Sequence, residues 1–428
     1  MIRFVGLDVH KRMVMAAIFD AQGGLLAETQ VAATAAALTG FAREVLRPED
    51  RVALEATTNC WAVVAQLEPH VAEVVVSNPL RTKAIASAKV KTDKVDARVL
   101  AQLLRLDYLP RVWQPDAATR ARRQATHRRA SLVALRTASK NRIHGLLHQR
   151  LIPPAVPDLF HARGRQWLAA LDLDADGRAS LASEFRLLDL LEAEIAAMDQ
   201  TLAEQAYQQP ALRLLMTLPG VDFGIATTLL AALGDITRFP TPDRAAAYLG
   251  LVPSTRQSAA HCYHGPITRH GNPHARWLLV QAAQHLAAHP GPLGVFFRRL
   301  MQKKNRNVAV VACARKLVVI AWHMLRHNEP YRYAQPRQLE AKMSRLRVRA
   351  TGQRRRGGLA KGSPRSPRYG QGRTRRVPTL AEVCSSETLP APLPLRPGEL
   401  RMIHDQRLQP FLLQTQTSYR VPKKKTAQ

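Results

Sequence analysis

Acids are scarce in this chain. Across its 428 residues, 32 Asp and Glu stand against 63 Lys and Arg, a formal net charge of +31 and an isoelectric point near 11.1. That excess excludes indifference to polyanions: it attracts them over long range, and each phosphate contact releases counterions. Cysteine is scarce as well. Four scattered residues exclude a disulfide framework and point to a reducing, cytoplasmic setting. No run of 18 or more apolar residues occurs, and the first residues lack the pattern of a signal peptide. A membrane is therefore set aside, and nucleic acid is the expected partner.

What is present divides along the chain. The first hundred residues are nearly balanced in charge and read as α/β. "RFVGLDVH" is a short apolar strand, "MVMAAIFDAQGGLLAETQVAAT" two strands around a Gln-Gly-Gly turn, and "TAAALTGFAREVL" a helix. "RVALEAT", "CWAVVAQLEPH" and "VAEVVVSNP" add strand, helix and strand. "KTDKVDARVLAQLLRL" closes the region with Val95, Val99, Leu100, Leu103 and Leu104 on one helical stripe.

Residues 111–150 carry ten Lys or Arg and one acid, Asp116. Leu132, Leu135, Ile143, Leu146 and Leu147 mark an apolar seam, so this is one long basic amphipathic helix or two. A solvated charged face is the plain reading; ten charges so little compensated favour a polyphosphate surface. Arg122, Arg123, Arg128, Arg129, Lys140 and Arg142 are its candidate contacts. Residues 183–206 form an acid-rich amphipathic helix, suited equally to core packing or a coiled-coil contact. From 211, an apolar helix, a Pro-Gly-Val turn and a second apolar helix give the pattern of a helix-hairpin-helix, in which Gly220 would let the backbone approach a phosphate. A Pro-Gly turn is also a common way of joining packed helices. Further on, Gly271-Asn272-Pro273 opens a helix that brings Arg269 and Arg276 towards nucleic acid. "HCYHGPITRHGNPH" is dense in histidine, but its spacing matches a zinc site poorly. The expected domains are 1–110 α/β, 111–210 helical, 211–333 mostly helical, and 334–428 a basic, disordered tail.

Four acids share a placement. Asp8 and Glu55 end strands; Asp93 and Asp96 open the helix after the last strand, three residues apart and hence on one face. Singly, each has a plain explanation: Asp93 suits a helix N-cap or first turn, and Glu55 a surface strand end. Together they have the layout of a nuclease site, in which such acids hold two divalent cations roughly 4 Å apart. Hard oxygen donors suit Mg²⁺, and the flanking Lys91 and Lys94 would meet phosphates.

The order of elements and these acids resemble a RuvC-like, RNase H-type nuclease domain with a mixed sheet. "GLDVHK", "LEAT", "KTDKVDARVLAQLL", "LPGV", "YLGLVPSTRQS" and "ITRHGNPHARWLLVQAA", in that order, resemble the transposases of the insertion sequence one-ten family, also called DEDD transposases or bridge-RNA recombinases. The resemblance covers about residues 3–330. It implies that Asp8, Glu55, Asp93 and Asp96 are catalytic and bind Mg²⁺, about two ions per site. It implies that Ser258 attacks DNA and forms a 5′-phosphoserine link, that a noncoding guide RNA supplies target choice, and that dimers pair into tetramers. Ala259 and Ala260 stand where the family usually has Gly-Gly, which leaves Ser254 as the other candidate nucleophile. A nuclease or junction resolvase working by hydrolysis alone would use the acids and not the serine. A nucleic-acid-binding protein with a decayed site would cleave nothing.

Overall fold

The computed structural model describes residues 2–86, 92–258, 261–353 and 374–422. The chain divides into two compact units, Met1–Asp116 and Ala117–Gln428.

In the first unit the strands are β1 (Phe4–Val9), β2 (Met13–Phe19), β3 (Leu25–Ala32), β4 (Arg51–Glu55) and β5 (Glu73–Ser77); the helices are α1 (Ala35–Glu44), α2 (Cys60–Leu67), α3 (Pro79–Ile85) and α4 (Asp93–Arg105). The strands form one mixed sheet in the order β3-β2-β1-β4-β5. β1 pairs antiparallel with β2 and parallel with β4, and β4 pairs parallel with β5. The period of two sorts each strand's side chains between the faces. Val5, Leu7, Val9, Val52 and Leu54 pack with residues of α1 and α2. Phe4, Ala53 and Val75 pack with Leu100, Leu103 and Leu104 of α4 on the other face.

How closely α4 lies on the sheet is set by small residues. Ala97 and Ala101 are fully buried beside Ala17. A Cβ on Gly6 would run into the Ala97 carbonyl, so only glycine in β1 admits the helix at this distance. α4 starts where Thr92 accepts a hydrogen bond from the Val95 N–H at 3.4 Å. The N-cap is therefore Thr92, and Asp93 and Asp96 both lie in the first turn, where the helix dipole favours negative charge.

The second unit begins with α5 (Ala117–Gln149), a single 33-residue helix. It continues through α6 (Ala162–Ala169), α7 (Ala175–Gln208), α8 (Pro210–Leu215), α9 (Phe223–Leu233), α10 (Pro242–Tyr248), β6 (Pro253–Ser258), β7 (His261–Ile267), α11 (Pro273–Gln284), α12 (Pro292–Met301) and α13 (Arg306–His327). Then come α14 (Pro336–Thr351), β8 (Thr374–Val377), α15 (Leu380–Ser386), α16 (Pro397–Asp405), α17 (Gln409–Gln416) and β9 (Tyr419–Pro422). α5 and α7 run antiparallel: Arg129, Arg142 and Arg150 meet Asp199, Glu184 and Asp174 in descending order. Ile143 and Leu147 share a core with Leu181 and Leu188. The acid-rich helix thus packs on the basic helix of its own chain.

α13 is long and apolar enough to cross a membrane. In the fold its Ala309, Cys313, Ala314, Leu317, Val318 and Ala321 are buried in the unit's main core, so it serves as a core helix.

The expectation of a disordered tail from 334 is corrected for the described part. Leu339, Met343, Leu346, Leu380, Val383, Ile403, Leu408 and Phe411 are all buried in that same core. Two prolines of this region open helices: Pro336 and Pro397 sit at the first helical turn, where a missing N–H costs nothing, while Pro390, Pro392 and Pro394 lie in irregular chain. The arginine-rich stretch 354–373 and the terminal "KKKTAQ" lie outside the described residues.

Candidate functional site

The acids expected to act together arise from two local rules. β1 and β4 are parallel neighbours whose last registered pair is Leu7–Leu54, so Asp8 and Glu55 follow at the same end of adjacent strands. Alternation puts both on the α4 face, with Phe4, Gly6 and Ala53. The close seat of α4 at Gly6 then brings its first turn over that end. Asp8 and Glu55 are half-buried, as is Asp96, and Asp93 is exposed.

One residue at this site escaped sequence reasoning. His10, two residues past Asp8, places Nε2 at 3.0 Å from the Asp8 carboxylate and 3.4 Å from that of Asp93. Among the described residues, Asp8, His10 and Asp93 form a group whose potential ligand atoms all lie within 4.8 Å of one another. The "GLDVHK" string contains His10, but nothing in it says that an imidazole would reach a helix eighty residues on.

The electrostatics follow from crowding. Burial raises the Asp8 pKa above its ordinary value; His10 pulls it back, and the Asp96 and Asp93 charges push it up again. For His10, partial burial works downward, but the two carboxylates outweigh it and its pKa is raised. Negative charge has been assembled here, with the His10 imidazole against two of its carboxylates. A hard-oxygen donor set of this kind fits Mg²⁺ or a similar divalent ion. Lys94 is exposed on the first turn of α4, and Lys91 lies outside the described residues.

Ser258 ends β6, exposed, opposite His261 of β7. Among the described residues its hydroxyl has no side-chain partner. Ser254, by contrast, donates to the Pro266 carbonyl at 3.0 Å. Residues 259 and 260 lie outside the described residues. In the same hairpin His264 Nδ1 lies 3.0 Å from the Thr255 hydroxyl, and its Nε2 lies 3.8 Å from Cys262 Sγ.

Most of the expected phosphate contacts have internal work. Arg129 pairs with Asp199, which also binds Arg349 at 2.9 Å. Arg142 pairs with Glu184. Arg123 donates to the carbonyls of Ala231 and Ala232, at 2.8 and 3.0 Å, tying down the C-terminal end of α9. Arg122 reaches Gln209 at 3.3 Å, and the Lys140 ammonium lies 4.4 Å from the Phe160 ring centre. Arg276 donates to the Leu249 and His270 carbonyls; burial, then Arg269, lowers its pKa. Arg128 is left two-thirds exposed with only a loose contact to Glu194 at 3.6 Å, and Arg269 is exposed at a positive φ of 57°.

Gly220 is explained by packing. Its φ is +75°, and a Cβ there would lie 2.5 Å from the Ala282 carbonyl of α11. The next helix, α9, is capped by Asp222, which accepts from the Ile225 N–H at 2.9 Å. The N-terminal end of α9 is thus already met by a carboxylate of its own chain.

Comparison with known proteins gives the class. A DEDD transposase family model of the IS110 type matches residues 5–152, and the model for the transposase IS116/IS110/IS902 family matches residues 212–295. A putative transposase, y4qE, of Sinorhizobium fredii is 29% identical over 290 residues, covering 65% of this chain and 70% of the relative. A probable family 20 transposase of Pseudomonas aeruginosa is 26% identical over 347 residues, covering 77% and 98%. A pilin gene-inverting protein of Moraxella bovis is 26% identical over 285 residues, covering 65% and 80%. The chain is thus a DNA-modifying enzyme of the transposase class. It belongs to the IS110 family.

Proposed function

We propose that this protein is the transposase of an insertion sequence, joining and exchanging DNA strands through a serine nucleophile that works with a cation-holding acidic site. The observation that carries the reading is the cluster of Asp8, His10 and Asp93 at one end of the first unit's sheet, with Asp96 near enough to raise the Asp8 pKa and Glu55 at the same end of the neighbouring strand. The sheet order β3-β2-β1-β4-β5, with three strands antiparallel in sequence and two added in parallel, supports assigning the unit to the RuvC-like, RNase H-type fold. The proposed domains are 1–110 for this nuclease fold, 111–210 for the paired helices, and 211–333 for the segment with the serine.

In this reading Asp8, Glu55, Asp93 and Asp96 hold Mg²⁺, about two ions. The bound cations supply neutralisation of the charge that develops on the phosphoryl oxygens. His10 orients the Asp8 and Asp93 carboxylates. Ser258 Oγ attacks the scissile phosphorus: the Oγ–P bond forms, the P–O3′ bond breaks, the serine proton is lost to solvent or a nearby base, and the O3′ takes up a proton and leaves as a 3′-hydroxyl end. The 5′ end stays on the protein as a phosphoserine, keeping the strand's energy available for rejoining. Ser258 is favoured over Ser254 because the latter's hydroxyl is committed to Pro266. DNA is the substrate, in the cytoplasm. A noncoding guide RNA supplies sequence choice by pairing, and dimers joining into a tetramer bring the sites together. Arg128, Arg269 and Lys94 are the exposed cations proposed to meet phosphates.

The test is covalent capture. The full chain is incubated with its element's noncoding RNA, Mg²⁺ and labelled donor DNA, then denatured. Protein-linked DNA lost in both Ser258→Ala and Asp93→Ala is the expected result. Free cleaved ends without an adduct, unchanged by Ser258→Ala, would replace the serine mechanism with hydrolysis by the acids alone.

A further inference from the structure

The second unit contains a half-open cavity of about 800 Å³ where one face each of α12, α13 and α16 converge beside the loop Glu329–Tyr333. The second family match ends at residue 295, so α13, the loop and α16, which supply most of the lining, lie outside both. Its size is in the range of small-ligand sites.

Its walls are largely apolar. Leu293 and Met324 are buried at the base, and Phe296, Ile320 and Met402 are part-exposed along the sides. The rings of His323 and His327 stack with centres 6.1 Å apart and planes 15° from parallel, and Trp322 meets His323 edge-on at 4.9 Å. Burial lowers the His323 pKa, and the positive fields of His327, Lys316 and Arg396 lower it further against a weaker pull from Glu329. At neutral pH this favours an uncharged imidazole face, suited to stacking.

Its rim is cationic. Both acids that line the cavity are committed: Arg332 binds Glu399 at 2.5 Å and Glu329 at 2.8 Å, and Tyr333 donates to Glu399 at 3.2 Å. Arg299, Lys316 and Arg396 are exposed at the same rim, and among the described residues their side chains have no carboxylate partner; the Arg299 guanidinium lies 5.7 Å from the Phe296 ring centre. A purely apolar ligand would leave three rim cations without an anion, and a bare phosphate would leave the apolar walls wet.

We propose that this cavity binds one nucleotide, its base against the apolar walls and the imidazole faces, its phosphate met by Arg299, Lys316 and Arg396. Stacking on flat side chains combined with a cationic track is how proteins hold unpaired nucleotides without reading their sequence. The same chemistry serves a free nucleotide or one turned out of a strand.

Photo-crosslinking of the full chain tests this. One probe is 5-iododeoxyuridine monophosphate; the other is a single-stranded oligonucleotide with one 5-iododeoxyuridine. The expected result is an adduct mapped by peptide mass spectrometry to residues 292–333. Its yield should fall about tenfold in Lys316→Glu/Arg396→Glu, and similarly in Ile320→Trp, which fills the space without touching charge. An adduct with the monophosphate identifies a free nucleotide as sufficient; an adduct with the oligonucleotide alone identifies a nucleotide within a strand. No adduct in this segment with either probe, or a yield that survives both variants, would overturn the proposal. The assay needs neither strand cleavage nor Ser258, so it stands apart from the test of the transposition mechanism.

Discussion

The two units handle charge in opposite ways. The first, from a nearly balanced sequence, gathers acids at one sheet end, where His10 reaches Asp8 and Asp93, and burial, with the like charges of Asp96 and Asp93, raises the Asp8 pKa. The second, from a strongly basic sequence, spends its arginines on its own carboxylates and carbonyls: Arg129 on Asp199, Arg142 on Glu184, Arg123 on the end of α9. Charge counted along a sequence is therefore a poor measure of charge available to a ligand. What matters is whether the fold supplies a partner, and here it supplies partners to the cations of α5 and concentrates the acids of the first unit.

The sharpest way to break that contrast is to remove a gathered acid. Asp93→Ala or Asp8→Asn should lower single-turnover cleavage of labelled donor DNA by about 10²–10³-fold, the scale of losing preorganised charge stabilisation. An Arg142→Ala control should leave cleavage nearly unchanged. Next in size is a packing effect. Gly220→Ala should destabilise the protein by about 1–3 kcal/mol, because φ is +75° and the new Cβ meets the Ala282 carbonyl. Denaturant unfolding measures it. A loss of DNA affinity with stability intact would instead restore the phosphate-binding reading of that turn.

Smaller effects separate spent from free cations. Arg129→Ala should cost about 1–3 kcal/mol of stability, since Asp199 is buried and keeps only Arg349. It should leave the salt dependence of DNA binding unaltered. Arg128→Ala should do the reverse, leaving stability intact and making the slope of log affinity against log salt shallower by about one. Smallest is the pH effect. A carboxyl whose folded pKa lies above its unfolded value contributes stability at low pH that is lost as pH rises through the folded pKa. Without added cation, Asp8→Asn should therefore raise the melting temperature slightly at neutral pH, and the difference should vanish as pH falls below the ordinary carboxylate range.

Much of the first unit was legible because its signals are local. Short apolar runs mark β1 and β4, the Gln-Gly-Gly turn marks the β2–β3 hairpin, and the stripe from Val95 to Leu104 marks α4. Asp8, Glu55, Asp93 and Asp96 stood out by their positions at element ends. His10 did not, because its role depends on a helix packing that Gly6 permits. The region after 334 misled for a different reason. Its arginines and prolines dominate the composition, and the sparse buried positions Leu339, Met343 and Leu346 are in register only once α14 forms. The partners of the α5 arginines were equally hidden, since Asp199 and Glu184 lie 70 and 42 residues away.

The most direct test of the account is cation binding by the acidic site. Mn²⁺, which reports its own bound fraction by electron paramagnetic resonance and which Mg²⁺ can displace, would be titrated into the full chain and into Asp93→Ala and Arg142→Ala. The account predicts saturable binding that Mg²⁺ competes away, that Asp93→Ala abolishes and that Arg142→Ala leaves unchanged. Binding that persists in Asp93→Ala, or no saturable binding in the unsubstituted chain, would contradict it.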